Sequence, residues 1–282
     1  GQYTLGAFGA LYCAIVLQWP WYLCLLAAML FGAIWGALPG IFKAYLNINE
    51  VITAIMFNWI GLYMVNDIMY GKGKSPMYDL ASTKTYSLRK AAPQAMIPSL
   101  GMSELFGKLQ SVTIAIFIAI FFAIVVYIIL NKTAFGYELR ACGFNKNAAR
   151  YAGINEKRNI ILAMMISGAL AGVGAGLYYL STVAEWNPQV STALPAMGFN
   201  GISTALLACS NPIGTIFSSL FISYITVGGT KLSTQYYTKE IADVITALII
   251  YLCAFSLLFK NKIRALLVGK AKRVSVGKGG DD

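Results

Sequence analysis

Long apolar runs constrain this chain more than anything else in its sequence. Six of them, at 21–42, 51–70, 111–130, 159–180, 212–229 and 241–259, carry almost no charge, and two shorter ones cover 3–17 and 196–208. A helix of about 17–25 apolar residues matches the hydrocarbon thickness of a bilayer. Lipid offers no water to a backbone N–H or C=O, so such a run must satisfy its own polar groups as a helix. Hydrophobic residues make up 58% of the chain and charged residues 12%, well away from a soluble domain. The expectation is an all-α polytopic transmembrane helical bundle with some broken or short helices. Residues 1–260 form the membrane domain and 261–282 a basic tail. Gly1-Gln2 leads into an apolar run with neither an initiator Met nor a signal-peptide pattern, so a preceding piece is expected.

Charge sets the expected orientation. Segment 131–158 holds six Lys/Arg (Lys132, Arg140, Lys146, Arg150, Lys157, Arg158) and segment 260–282 holds seven. Positive residues flanking spans stay on the cytoplasmic side, which places both segments inside. An even number of crossings must then join them. Runs 159–180, 196–208, 212–229 and 241–259 make four, so the short run belongs in the membrane. Loop 71–110 also carries six Lys/Arg but falls outside by parity. The net charge of +11 thus reflects orientation and contact with anionic lipid. Basic residues interleaved with aromatics, as single-stranded nucleic acid requires, are missing, so no nucleic-acid partner is expected.

The catalytic inventory is thin. The chain has no histidine, which removes the commonest general base and metal ligand. Its five cysteines form no C-x-x-C pair, and four lie in or beside apolar runs, where small buried hydrophobes are expected. Gly71-Lys-Gly-Lys-Ser75 lacks the first glycine of a phosphate loop, since that position is Ile68. No catalytic residue, cofactor or metal site is expected.

Packing and breakage remain. Gly168, Gly172 and Gly176 recur every four residues, leaving one bare helix face against which another backbone can lie closely. Pro39-Gly40, Asn187-Pro188, Leu194-Pro195 and Asn211-Pro212 read as helix breaks, which membranes tolerate where the backbone is buried in protein or lines a wet cavity. Each can equally be an ordinary turn. Polar residues inside spans are costly and face a bundle interior or a cavity. Asn58 is the central one, with Trp59 beside it, and Asn200 follows Phe199 in the short run. These four are the candidate substrate path.

Between 131 and 158 the chain is basic, helix-compatible and punctuated by Gly136, Gly143 and Gly153, as suits a docking surface. Tyr137-Glu-Leu-Arg-Ala-Cys-Gly-Phe-Asn-Lys-Asn-Ala-Ala-Arg-Tyr-Ala-Gly-Ile-Asn155, followed by Ile166-Ser-Gly-Ala-Leu-Ala-Gly-Val-Gly174, resembles the permease subunits of ATP-binding-cassette importers for branched-chain amino acids, ribose and nucleosides. Asn49-Glu-Val-Ile-Thr-Ala-Ile-Met-Phe-Asn58, and Gly198-Phe-Asn-Gly-Ile-Ser-Thr-Ala-Leu-Leu207 with Pro212-Ile-Gly214, are similar to nucleoside permeases of the basic-membrane-protein type. The resemblance implies a transport subunit that does no chemistry itself. Its implied partners are a cytosolic ATPase, a second permease subunit, an extracytoplasmic substrate-binding lipoprotein and membrane lipids. It also implies that Glu138, Arg140, Gly143, Asn145, Ala149 and Gly153 form the ATPase-coupling element. A sugar or branched-chain amino acid importer would share that element. An ion-coupled transporter would need intramembrane acids, for which Glu50 and Asp243 are the candidates.

Overall fold

The computed structural model describes residues 1–70, 76–79, 84–99, 113–187, 195, 197–230, 241, 244, 245, 247–249, 251 and 252. The chain divides into two compact units, Gly1–Pro195 and Ala196–Asp282. Among the described residues the structure is helical apart from one antiparallel pair of two-residue strands, β1 (Tyr78–Asp79) and β2 (Lys84–Thr85). Four helices among the described residues are long and apolar enough to cross a membrane.

In the first unit, α1 (Gln2–Ile15), α2 (Trp21–Leu46) and α3 (Glu50–Tyr70) precede β1 and β2. Next in the described chain are a single turn, α4 (Leu88–Ala91), a 3-10 turn at Pro93–Ala95, and α5 (Ala115–Lys132). Two short helices, α6 (Ala134–Phe144) and α7 (Lys146–Tyr151), introduce α8 (Glu156–Leu180). The core is the α1–α2–α8 bundle, with α3 packed against α1 and α2. Its seam is made of backbone. A Cβ added to Gly32 would meet Gly168 O closer than 3.0 Å, and the same holds for Gly36 against Met164 O and Gly172 against Ala28 O. The bare face at Gly168, Gly172 and Gly176 thus meets a second one, Ala28, Gly32 and Gly36, in antiparallel register. Two apolar helices in lipid gain little from burial, and this close approach replaces it with dispersion and backbone contacts.

The expected break at Pro39-Gly40 does not occur. α2 continues through both residues to Leu46, where Asn47 ends it in the left-handed region at φ 52°. Pro39 is buried and Gly40 lies against α8, where a Cβ would stand 3.1 Å from Ile161 Cα. A helix in lipid has no competing water for the carbonyl that proline leaves free, so neighbours can hold it continuous. Asn49 is likewise a helix cap, its Oδ1 accepting from Val51 N at 2.9 Å. None of the residues of α5 is fully buried: Ala115, Ile118 and Phe122 pack on the core, while Ile116, Phe117, Phe121, Ile124 and Ile128 are exposed to lipid or to another subunit.

In the second unit, α9 (Met197–Leu207) and α10 (Gly214–Thr230) pack as a hairpin. Ser218 Oγ donates to Thr204 O at 2.8 Å across it. The break expected at Asn211-Pro212 is a turn with a cap, Asn211 Oδ1 accepting from Ile213 N and Gly214 N. α10 has 17 residues, so the run 212–229 forms a helix at the short limit of spanning. Pro188, Leu194, Asp243 and the tail lie outside the described residues.

Candidate functional site

Residues 133–159 form a cap-and-turn chain in which each helix stops before the next begins. Thr133 caps α6, its hydroxyl accepting from Gly136 N at 3.1 Å. Asn145 caps α7 by accepting from Asn147 N and Ala148 N, both at 3.1 Å. Asn155 caps α8, accepting from Arg158 N. Side-chain acceptors at these positions satisfy N–H groups a helix start leaves open. Gly153, at φ 80°, turns the chain after α7 so that Ile154 N reaches Ala149 O at 3.0 Å.

Five of the six predicted coupling residues have internal contacts. Ala149 is buried, Asn145 and Gly153 shape the turns, and Glu138 accepts from Asn159 Nδ2 at 3.1 Å. Arg140 is exposed and donates to Asn131 Oδ1 at 3.3 Å, while Gly143 has open space where a side chain would stand. Gly136 has a different reason to be glycine, since a Cβ there would strike the carbonyls of Ile129 and Leu130.

Sequence reasoning overlooked the two most exposed large hydrophobic side chains of this element. Phe144 is 89% exposed and Tyr151 94% exposed, one at the end of α6 and one at the end of α7. Their signal was legible as two of the four aromatics, Phe135, Tyr137, Phe144 and Tyr151, in a basic loop. Arg140 and Arg150 are exposed near them, and Lys146 lies 4.0 Å from Glu156. The surface is therefore aromatic and positive. At this same end Lys157 Nζ stands 5.0 Å from the centre of the Tyr45 ring, and Lys43 pairs with Glu50 at 2.7 Å. That pairing makes Glu50 an end-of-helix partner for lysine.

At the opposite end of the unit, Thr85 N donates to Trp186 O and Ile97 N to Leu180 O, tying segment 84–97 to the end of α8. A recess of about 310 Å³ opens there, lined by Tyr86, Arg89, Tyr179, Thr182 and Glu185 among others.

The four path candidates fall into the two units. In the first, Asn58 is half-buried and its Oδ1 accepts from the Gly1 nitrogen at 2.8 Å, next to Trp35, whose indole N–H donates to Phe57 O. Trp59 points elsewhere, 37% exposed and stacked on Tyr63 at 5.9 Å. In the second, Asn200 is half-buried and Phe199 is 62% exposed. Among the described residues no cluster of His, Cys, Asp and Glu could hold a metal ion.

Comparison with known proteins gives one consistent result. The family described as "Branched-chain amino acid transport system / permease component" matches residues 1–254. The nucleoside ABC transporter permease protein NupB of Lactococcus lactis is 32% identical over 257 residues, 91% of this chain and 69% of that protein. The guanosine ABC transporter permease protein NupP of Bacillus subtilis is 31% identical over 278 residues, 97% of this chain and 75% of that protein. The glucose ABC transporter permease protein TsgB13 of Haloferax volcanii is 25% identical, covering 93% of this chain and 69% of that protein. No solved structure matches the chain. The family model runs through the spanning helices, and this chain belongs to that family: the permease components of branched-chain amino acid type transport systems, here a multi-pass membrane subunit.

Proposed function

We propose that this chain is the permease of an ATP-binding-cassette importer that moves nucleosides inward. One observation carries the substrate class. Two relatives above 30% identity, each aligned over more than nine-tenths of this chain, are named nucleoside and guanosine permeases, whereas the glucose permease is 25% identical.

In this reading α6 and α7 dock on a cytosolic ATPase. Phe144 and Tyr151 supply apolar anchors, and Arg140 and Arg150 supply charge for an acidic or carbonyl-lined groove. ATP is hydrolysed on that partner. The 131–158 end and the tail 261–282 face the cytoplasm, and segment 84–97 faces outward, where a substrate-binding lipoprotein delivers its load. A second permease subunit completes the path. Asn58 and Asn200 offer carboxamides to hydroxyls and base edges of a neutral substrate, and Trp59 and Phe199 offer rings on which a base can stack. Gly143 leaves room for the partner's approach.

The test is ATP-driven uptake into vesicles holding the assembled transporter, with labelled guanosine, uridine, glucose and leucine offered separately. Saturable nucleoside uptake, with glucose and leucine at background, is expected. Saturable glucose or leucine uptake with both nucleosides at background would sink the substrate assignment.

A further inference from the structure

We propose that Asn159 is the positioning residue through which movement of α6 enters the membrane bundle, with Glu138 as its counterpart on α6. The inference rests on the reading of 131–158 as the ATPase dock and gives one predicted docking residue an internal role instead.

Asn159 is 1% exposed at the first turn of α8. Its Nδ2 donates to Glu138 Oε2 at 3.1 Å and lies 3.7 Å from Cys142 Sγ, and its Oδ1 is buried without a partner among the described residues. A buried carboxamide with one end unsatisfied lowers stability, and leucine would suit the apolar run that follows. What the asparagine supplies is a directional, charge-assisted bond between elements 21 residues apart. An apolar contact at the same place could slip along the helix.

The surroundings make that bond a junction. At its start α6 is held to α5 by the Thr133 cap and by Gly136 lying on the carbonyls of Ile129 and Leu130. One turn further on, Glu138 reaches α8. α8 is stiffened against bending where Gly168 and Gly172 lie directly on the α2 backbone, and Lys157 rests on the Tyr45 ring. Its far end is fastened as well. Leu180 O accepts from Ile97 N, and Thr182 Oγ1 accepts from Arg89 at 3.5 Å. A displacement of α6 is therefore handed through Asn159 to a stiff rod about 37 Å long, and reaches segment 84–97 at the other end.

The test compares Asn159→Leu, Glu138→Ala, the conservative Glu138→Gln and the exchange Glu138→Asn/Asn159→Glu in the complete transporter in vesicles. Three quantities are read: ATPase subunit retained on purification, ATP hydrolysed, and substrate moved per ATP. With a bond to a charged group lost, Asn159→Leu and Glu138→Ala should retain the ATPase and hydrolyse ATP while substrate moved per ATP falls about tenfold or more. Glu138→Gln keeps the acceptor and the exchange reverses donor and acceptor, so both should recover most of the ratio. An unchanged ratio in Asn159→Leu overturns the proposal, as does loss of the ATPase in that variant, which would mean the bond merely folds the dock. The double variant Phe144→Ala/Tyr151→Ala touches neither residue and tests the docking reading separately. An ATPase that stays fully bound there overturns the dock, whatever Asn159→Leu does.

Discussion

Gly32 and Gly168 face each other across α2 and α8 so closely that a Cβ on either would strike the other's carbonyl oxygen. The contact is reciprocal, and it repeats one turn on, where a Cβ on Gly172 would strike Ala28 O. This seam sets the spacing of the bundle and so the position of everything fastened to α8.

Substituting the seam should therefore be far more damaging than its conservative chemistry suggests. Gly168→Val must push the α2 and α8 backbones apart, and overpacking costs about 1–3 kcal/mol or more. Gly174 on the same helix has nothing within 4 Å of an added Cβ, so Gly174→Ala should be neutral or stabilise by up to about 1 kcal/mol through helix propensity. Thermal unfolding of the two purified variants in detergent distinguishes them. Equal midpoints would show that the seam is not close-packed.

Two glycines of the loop should behave in opposite ways. Gly136→Val collides with Ile129 and Leu130 carbonyls and should reduce the yield of folded protein. Gly143→Val meets open space, so the protein should fold normally but bind the ATPase poorly, because the new side chain occupies the approach. Yield by size-exclusion chromatography and ATPase co-purification read the two effects. A Gly143→Val protein with full ATPase binding would remove that position from the dock.

The two ends of the first unit should label from opposite sides of the membrane. Segment 84–97 and the Lys43–Lys157 region lie at opposite ends of α8. Single cysteines at Lys84 and Lys146, in a background without the native cysteines, should react with an impermeant maleimide from outside and inside respectively. Labelling of both from one face would contradict the topology.

The two proposed path carboxamides can be tested separately. Asn58→Leu and Asn200→Leu remove hydrogen-bonding capacity worth about 1–3 kcal/mol if it meets substrate. Uptake should fall about tenfold in either variant, with the assembled complex recovered in normal amount. Normal uptake in both variants would take these residues off the path.

Much of this protein is legible in its amino-acid order alone. Apolar length dictates helix because lipid leaves the backbone no other partner, and that rule acts within a single run. The spacing of Gly168, Gly172 and Gly176 reveals a bare face for the same reason, since helical period is local. Glycines and a charge block between two spans mark out the segment that forms α6 and α7.

What faces that glycine stripe is decided only in three dimensions. Ala28, Gly32 and Gly36 lie more than a hundred residues earlier, and Pro39 hides the seam's continuation by reading as a break. The pairing of Glu138 with Asn159 is not legible in sequence: the first stands among the coupling residues the resemblance implies, and the second is only the polar start of a span. Their bond exists because the Gly136 contact, the Asn145 cap and the Gly153 turn fold α6 back onto α8. The exposure of Phe144 and Tyr151 follows from the same turns, which leave both rings outside. Local rules determine which segments are helices. Which side chains meet, and which are left for a partner, depends on the summed geometry of turns and backbone contacts that no single segment contains.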